Sequence, residues 1–261
     1  MSVKRYDRRD IENLLFQLSK ELKKEFGRKA RFEIIVVGGA SVLINYDFRK
    51  STTDIDGFLS NSYSMKDAIR RVADNNGISA EWLNSDFVNT KSYSTKLLLY
   101  SKPYKTFNQV LSVRTIKDEY LIAMKLMSGR LYKNDFSDIR GILNANPQIQ
   151  RNDIVSAIKD LYKDKDIATE SWDFFEKILC SNQAYEDVVQ IEKENKKLLI
   201  NMQKSETITK DKLTEELVQN VLQEKINTPE ATLDELIKAA KADHEKLEQP
   251  EPSNKNKEYE R

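Results

Sequence analysis

The sequence predicts an α/β (α+β) fold in which helices flank a mixed sheet and a helical C-terminal region follows. All seven glycines of the 261 residues lie before residue 142, which places the turns and strand-to-helix corners in the first half. Short apolar, β-branched runs alternate there with helical patterns, whereas helical patterns dominate from residue 152 onward. Of the 10 Phe, 2 Trp and 11 Tyr residues, only Tyr259 lies beyond residue 200, so the C-terminal stretch differs from the rest.

The predicted elements follow one another at spacings typical of an α/β domain. Residues 10–26 carry an apolar face at helical spacing, and residues 31–37 (RFEIIVV) form a buried strand that ends at a glycine pair. Residues 118–128 are predicted to be helical, and a shorter helix follows over 136–143. The other elements expected in this part are a helix over 40–46, a strand over 53–60, a helix over 64–76, and strands over 96–100 and 109–115.

Three segments of different composition indicate the domain organisation. Residues 1–150 form the predicted α/β domain, residues 151–205 a helical domain, and residues 206–261 a charged helical tail with a disordered end. Two helices are expected in the tail, one over 209–226 and one that begins at Thr228, with proline at the first helical position. The tail is acidic, and the remainder of the chain is mildly basic.

The composition excludes several classes of function. With 43 Lys and Arg residues against 42 Asp and Glu residues, the net charge is near +1, which excludes a wholly basic nucleic-acid coat. The single cysteine, Cys180, excludes a disulfide framework or a multi-cysteine zinc site. The single histidine, His244, argues against a Ser-His-Asp triad or a histidine-built metal site. No stretch approaches 18 apolar residues, so we expect a cytoplasmic protein without a membrane partner.

Asp54-Ile55-Asp56 is the first candidate site. Side chains alternate along a strand, so both carboxylates project from one face, about 6–7 Å apart. Such a pair can bind Mg²⁺, which typically takes one or two carboxylates together with substrate phosphates. The alternative is an acidic pair in a surface turn. Ile55 and Phe58 instead indicate a core strand, where two unpaired carboxylates are costly unless a cation binds.

Gly38-Gly39 follow a buried strand and open a helix. Glycines at such a corner allow a phosphate to approach the backbone, and the helix N-terminus supplies free N–H groups and a partial positive charge. Ser41 adds a hydroxyl nearby. A glycine pair alone is most often a tight turn, and the chain contains neither GxxxxGK[ST] nor GxGxxG. Its position shortly before the acidic pair makes the combination a more specific signal.

Two motifs occur in succession: GGAS at 38–41 and, after a short helix, RKSTTDID at 49–56. Together they resemble the polymerase-beta-like nucleotidyltransferase superfamily, and within it the minimal branch that includes the AbiEii-type toxins of bacterial toxin–antitoxin and phage-defence systems. The stretch WLN at 82–84 and the segment EYLIAMKLMSGRLYKNDFSDI at 119–139 are similar to later elements of that branch. The resemblance covers roughly residues 30–145 and implies a nucleotidyltransferase fold.

The resemblance implies that Gly38, Gly39 and Ser41 hold the triphosphate. The physics of phosphoryl transfer adds a cation that balances charge on the leaving group, for which Arg49, Lys125 and Arg130 are the candidates. For Arg49 the alternative is an ordinary surface residue in a loop. Gly38, Gly39, Ser41 and Arg49 therefore form the expected nucleotide-binding set.

The resemblance also implies a catalytic and a metal-binding set. Asp54 and Asp56 would coordinate Mg²⁺, and Lys125 would lie near the phosphates or the acceptor. Asp138 matches the later acid of the branch, with Asp135 as the alternative register. For Lys125 the alternative is an exposed helical lysine, and for Asp138 it is a solvent-facing acid or a partner within its own helix.

One departure from the superfamily concerns the general base. Many members carry a third carboxylate on a later strand, but neither KLLLY at 96–100 nor NQVLSVRTI at 108–116 contains an acid. Asp86, Asp138 or water would then deprotonate the acceptor. The competing interpretation is a non-catalytic nucleotide- or RNA-binding module with a decayed nucleotidyltransferase fold.

The implied reaction is Mg²⁺-dependent transfer of a nucleoside monophosphate from an NTP to an acceptor hydroxyl. For toxin-like members the resemblance favours a tRNA 3′ end as acceptor, while other RNA, protein hydroxyls and small molecules such as aminoglycosides stay open. An antitoxin protein is a further implied partner. The sequence does not select among the four NTPs, ATP and GTP included.

Overall fold

A five-stranded sheet lies at the centre of the computed structural model, which describes residues 4–163, 166–180 and 183–204. The strands are β1 (Phe32–Val36), β2 (Ile55–Leu59), β3 (Leu83–Asn84), β4 (Ser101–Phe107) and β5 (Leu111–Ile116). Their order across the sheet is β3-β2-β1-β5-β4. β1 pairs in parallel with β5, and β2 with β3, whereas the β1–β2 and β4–β5 pairs are antiparallel. The sheet is therefore mixed, and the predicted fold class is confirmed.

Helices surround this sheet throughout the described residues. They are α1 (Arg8–Phe26), α2 (Gly38–Asn45), α3 (Ser62–Asn76), α4 (Asp118–Ser128), α5 (Asp135–Ala145), α6 (Arg151–Tyr162), α7 (Thr169–Cys180) and α8 (Tyr185–Lys204). Local sequence sets their ends: Asp7 and Asp10 form a capping box at the start of α1, and Gly77 ends α3 in the left-handed conformation. No described helix combines the length and apolarity that a membrane crossing requires.

The two faces of the sheet carry different hydrophobic cores. Side chains alternate along β1, so Ile34 and Val36 pack with α1 and α3, whereas Ile35 and the following Val37 pack with α4 and α5. Helices α6, α7 and α8 add their apolar faces to this second core. The glycine corner after β1 lies between the two cores.

Most predicted elements of the first 150 residues are confirmed, with ends shifted by a few residues, but the strand predicted over 96–100 is wrong. Thr95–Tyr100 is a 3₁₀ helix, in which Leu97 is buried while Leu99 is 75% exposed. The strand begins at Ser101, and its polar sequence, Pro103 and a register shift hid it from pattern reading. The predicted tail, residues 206–261 with its two helices, lies outside the described residues.

Candidate active site

The glycine corner after β1 lies directly against Asp56. Gly38 adopts a φ of +60°, a conformation that favours glycine, and a Cβ built there would lie 3.6 Å from Asp56 Oδ2. The Val37 N–H donates to the Asp56 carbonyl over 2.9 Å, so the two segments are fixed to each other. The first turn of α2 and the start of β2 therefore form one small surface.

The acidic pair carries an uncompensated charge. Asp54 precedes β2, Asp56 is its second residue, and both are partly buried. Burial raises the pKa of Asp56 to about 6, and Asp54 and Asp86 add to this rise. Arg130 and Lys133 oppose it, so these two cations face the same region. Because the net effect makes ionisation of Asp56 more costly than usual, a bound cation would stabilise its ionised form.

The carboxylates of Asp54 and Asp56 suit Mg²⁺ as two of its ligands, but they do not complete its coordination by themselves. Two carboxylates are the number that Mg²⁺ commonly takes from a protein when substrate phosphates complete its coordination. Within the described residues, no group of three or more His, Cys, Asp or Glu side chains is arranged to hold a metal ion. A metal here would therefore rest on Asp54, Asp56 and the oxygens of a substrate.

A buried ion cluster lies on the α4–α5 side of this surface. Lys125 Nζ is 2.6 Å from Asp138 Oδ2 and 3.3 Å from Asp135 Oδ1. Arg130 binds Asp135 with two hydrogen bonds of 2.8 and 3.0 Å, and Arg49 pairs with Asp138. Burial would raise the pKa of Asp135, but Lys125 and Arg130 together hold it below its ordinary value. We call these five residues the ion cluster.

Arg49 connects the ion cluster to the glycine corner. A Cβ at Gly39 would lie 2.6 Å from Arg49 Nη2, closer than real Cβ atoms approach, so a glycine at this position makes room for the guanidinium. The Arg49 side chain is mostly buried and reaches Asp138 from the loop between α2 and β2. Arg49 is therefore not the ordinary surface residue of the alternative interpretation.

The structure places the remaining predicted residues as follows. Lys125 is 4% exposed and Asp138 is 1% exposed, so the solvent-facing alternatives for both are wrong. Ser41 is fully buried, and its Oγ has no hydrogen-bond partner among the described residues. Asp86 is exposed, and it follows β3, in which Asn84 pairs with Asp56.

Sequence reasoning missed the contribution of α8. Val188, Ile191, Glu192 and Asn195 recur at helical spacing and are all buried, so Glu192 and Asn195 occupy core-facing positions. Glu192 accepts hydrogen bonds from two N–H groups at the start of α5, and Asn195 donates to a carbonyl of the α4–α5 loop. The signal that could have predicted these contacts is that an acid and an amide lie on the same helical face as the apolar residues of α8.

A mixed sheet that sets a glycine corner against an acidic pair, with Arg49 linking that corner to a lysine-containing ion cluster, has the features expected of a nucleotidyltransferase. The chain belongs to the family described as "Nucleotidyltransferase of unknown function (DUF6036)", whose model matches residues 13–210. That match spans every strand and α2 through α8. Comparison with curated proteins and with solved structures finds no match.

Proposed function

We propose that this protein is a Mg²⁺-dependent nucleotidyltransferase that transfers a nucleoside monophosphate from an NTP to an acceptor hydroxyl. The carrying observation is the contact between the Gly38 corner and Asp56, which sets the N-terminus of α2, where phosphates commonly bind, against an acidic pair. The acceptor oxygen attacks the α-phosphorus, the bond between the α-phosphorus and the bridging oxygen breaks, and pyrophosphate leaves. Membership of a nucleotidyltransferase family supports this class of reaction.

The triphosphate binds to the backbone N–H groups of the glycine corner and to the basic side chains near it. The N–H groups of the first turn of α2 have no partners within the helix, so they are free to donate to phosphate oxygens. Arg130 and Lys133 lie near Asp56 and neutralise charge on the leaving pyrophosphate. Arg49 is held beside Gly39 by Asp138, so its guanidinium is positioned before the nucleotide arrives.

Asp54 and Asp56 are the residues that would hold the metal ion. When bound, Mg²⁺ neutralises charge on the phosphates and lowers the pKa of an oxygen that it contacts. The protein's own part is to orient both carboxylates toward one site. The raised pKa of Asp56 means that its ionised form is disfavoured in the metal-free protein. A bound cation would offset that cost.

Asp86 is the base that accepts the acceptor's proton. Asp135 and Asp138 are buried and paired with cations, so neither carboxylate is available to a solvent-borne hydroxyl. Asp86 is exposed and lies close enough to Asp56 to influence its pKa. It thereby supplies from the turn after β3 the third carboxylate that is missing from β4 and β5.

The acceptor and the biological setting follow the likeness to the AbiEii branch. A tRNA 3′ end is the acceptor that this likeness favours, and the exposed Lys133 beside the acidic pair supports an anionic acceptor. A toxin role and an antitoxin partner belong to the same proposal. The competing function is a nucleotide-binding module without transfer, favoured by the lack of a three-carboxylate group among the described residues.

A labelled-transfer assay tests the proposal. Purified protein is incubated with Mg²⁺, each of the four α-labelled NTPs in turn, and total RNA or total protein as acceptor. We expect label on one RNA band and its loss in the Asp54→Asn/Asp56→Asn variant, while Asp67→Asn, an exposed acid on α3, keeps wild-type transfer. NTP binding without transfer to any acceptor would instead support the binding module, and neither binding nor transfer would refute both.

A further inference from the structure

Glu192 caps a helix to which it does not belong. Its Oε1 accepts from the N–H groups of Phe136 (2.9 Å) and Ser137 (3.3 Å), which lie in the first turn of α5 and have no partners within that helix. The residue is 4% exposed, so water does not replace these bonds. Since α5 carries both aspartates of the ion cluster, Glu192 fixes the position from which they reach their cations.

A second residue of α8 holds the adjoining loop. Asn195 Nδ2 donates to the Leu131 carbonyl over 3.0 Å, and Asn195 is fully buried. Leu131 follows Arg130, whose guanidinium binds Asp135 and lies near Asp56. One face of α8 therefore fixes both the α4–α5 loop and the start of α5.

Three polar atoms at this junction lack hydrogen-bond partners among the described residues. They are Glu192 Oε2, Asp138 Oδ1 and Ser137 Oγ, and all three are buried. Two ionised carboxylates with unsatisfied oxygens in one buried region would repel each other and lose solvation without compensation. A proton on Glu192 supplies a donor and removes the repulsion.

We propose that Glu192 is a positioning residue of the nucleotidyltransferase site that works in its neutral form and leaves the ion cluster with one surplus positive charge. The ion cluster contains three cations, Arg49, Lys125 and Arg130, against two aspartates. An ionised Glu192 would cancel the surplus, whereas a neutral one preserves it for a bound triphosphate. The inference deepens the proposed function and rests on it.

The protonation of Glu192 falls within a measurable pH range. Burial raises the pKa of its carboxyl to about 8, and Asp138 and Asp135 add to the rise, while the Ser137 hydroxyl and then the Phe136 N–H oppose it. The charged and titratable groups around it are Asp135 and Asp138 of α5, Lys125 of α4, Arg130 of the α4–α5 loop, Arg49 of the α2–β2 loop and Tyr185 of α8. Above pH 8 Glu192 ionises and the surplus charge is lost.

Nucleotide binding at two pH values tests the inference. Glu192→Gln keeps a carbonyl acceptor and a donor but cannot ionise, whereas Glu192→Ala removes the cap. We expect wild-type affinity for the preferred NTP with Mg²⁺ to fall roughly 10-fold from pH 7 to pH 9, as neutralising one nearby charge would cause, and Glu192→Gln to stay constant. Glu192→Ala should bind more weakly at both pH values. Glu186→Gln, an exposed acid on the same helix, is the matched control and should follow the wild type.

Unfolding measurements supply a readout that does not depend on activity. The native pKa of Glu192 exceeds its ordinary value of 4.5, so its contribution to stability is present below pH 4.5, declines as the pH rises, and levels off above pH 8. The stability of Glu192→Gln relative to wild type should therefore grow over this range. If transfer occurs but Glu192→Gln follows the wild type in both pH profiles, the role of Glu192 is overturned alone. If no variant binds any NTP, the proposed function fails and this role fails with it.

Discussion

Replacing Asp56 with asparagine should stabilise the metal-free protein while it abolishes transfer. Burial raises the pKa of Asp56 to about 6 from an ordinary value of 3.8, so the folded state holds a proton that the unfolded state releases. The contribution of Asp56 to the free energy of unfolding is therefore largest below pH 4. It falls as the pH rises through 6 and is constant at higher pH. At about 1.4 kcal/mol per pKa unit, the ionised carboxylate costs the folded state about 3 kcal/mol at neutral pH. Asparagine keeps the shape without that cost.

The assay is urea denaturation of wild type and Asp56→Asn in a chelating buffer at pH 4, 5, 7 and 8. We expect no difference in the free energy of unfolding at pH 4 and an advantage of about 3 kcal/mol for Asp56→Asn at pH 7 and above. Excess Mg²⁺ should then stabilise the wild type but not the variant, because a ligand that binds only the folded state raises its stability. Asp67→Asn, which changes an exposed acid, controls for the loss of one surface charge.

A costly Asp56 carboxylate is ruled out if Asp56→Asn is less stable than wild type at pH 7, or if the difference in free energy of unfolding between the two does not change with pH. Either result would mean that the neighbouring cations already compensate the carboxylate. The acidic pair would then be a structural ion-pair group, and the case for a metal between its two members would lose its main physical support.

Three further predictions concern packing around the same site. Gly39→Ala places a Cβ 2.6 Å from Arg49 Nη2, so nucleotide affinity should fall at least roughly 10-fold while circular dichroism stays native; unchanged affinity would contradict a positioned guanidinium. Lys125→Met leaves buried carboxylates short of a cation and should lower the free energy of unfolding by about 3–5 kcal/mol, measured by urea denaturation. Gly141→Ala overlaps the Phe48 ring and should cost about 1–3 kcal/mol in the same experiment, and a neutral result would show that the ring moves freely.

The strands that could be predicted are those whose own residues show the apolar pattern of a buried strand. β1 is apolar except for Glu33 and is followed by two glycines, so its place in the core followed from the sequence. β4 is polar, contains Pro103, and lies beside one neighbour only, so neither hydrophobicity nor alternation marks it. The apolar run just before it attracted the strand prediction, although the run forms a 3₁₀ helix that buries Leu97 alone of its three leucines.

The residues of the candidate site likewise fall into two groups: those that a sequence motif predicts and those that only the tertiary structure reveals. Gly38 and Asp56 lie in short motifs whose residue types state their chemistry, and the structure places these motifs in contact. Glu192 comes more than a hundred residues later, on a helix that no motif connects to the corner. Its role depends on how α8 packs against α5. The sequence of α8 shows only that a polar residue lies on the apolar face of the helix, and it does not show which element that face contacts.

The two outermost strands have a consequence for how the protein behaves at high concentration. β3 offers only two residues, and β4 interrupts its free backbone with Pro103 and an irregular register. A second chain that attempted to add a strand to either side would find few aligned N–H and C=O groups to template it. Fibril-like association through the sheet is thereby discouraged on both sides.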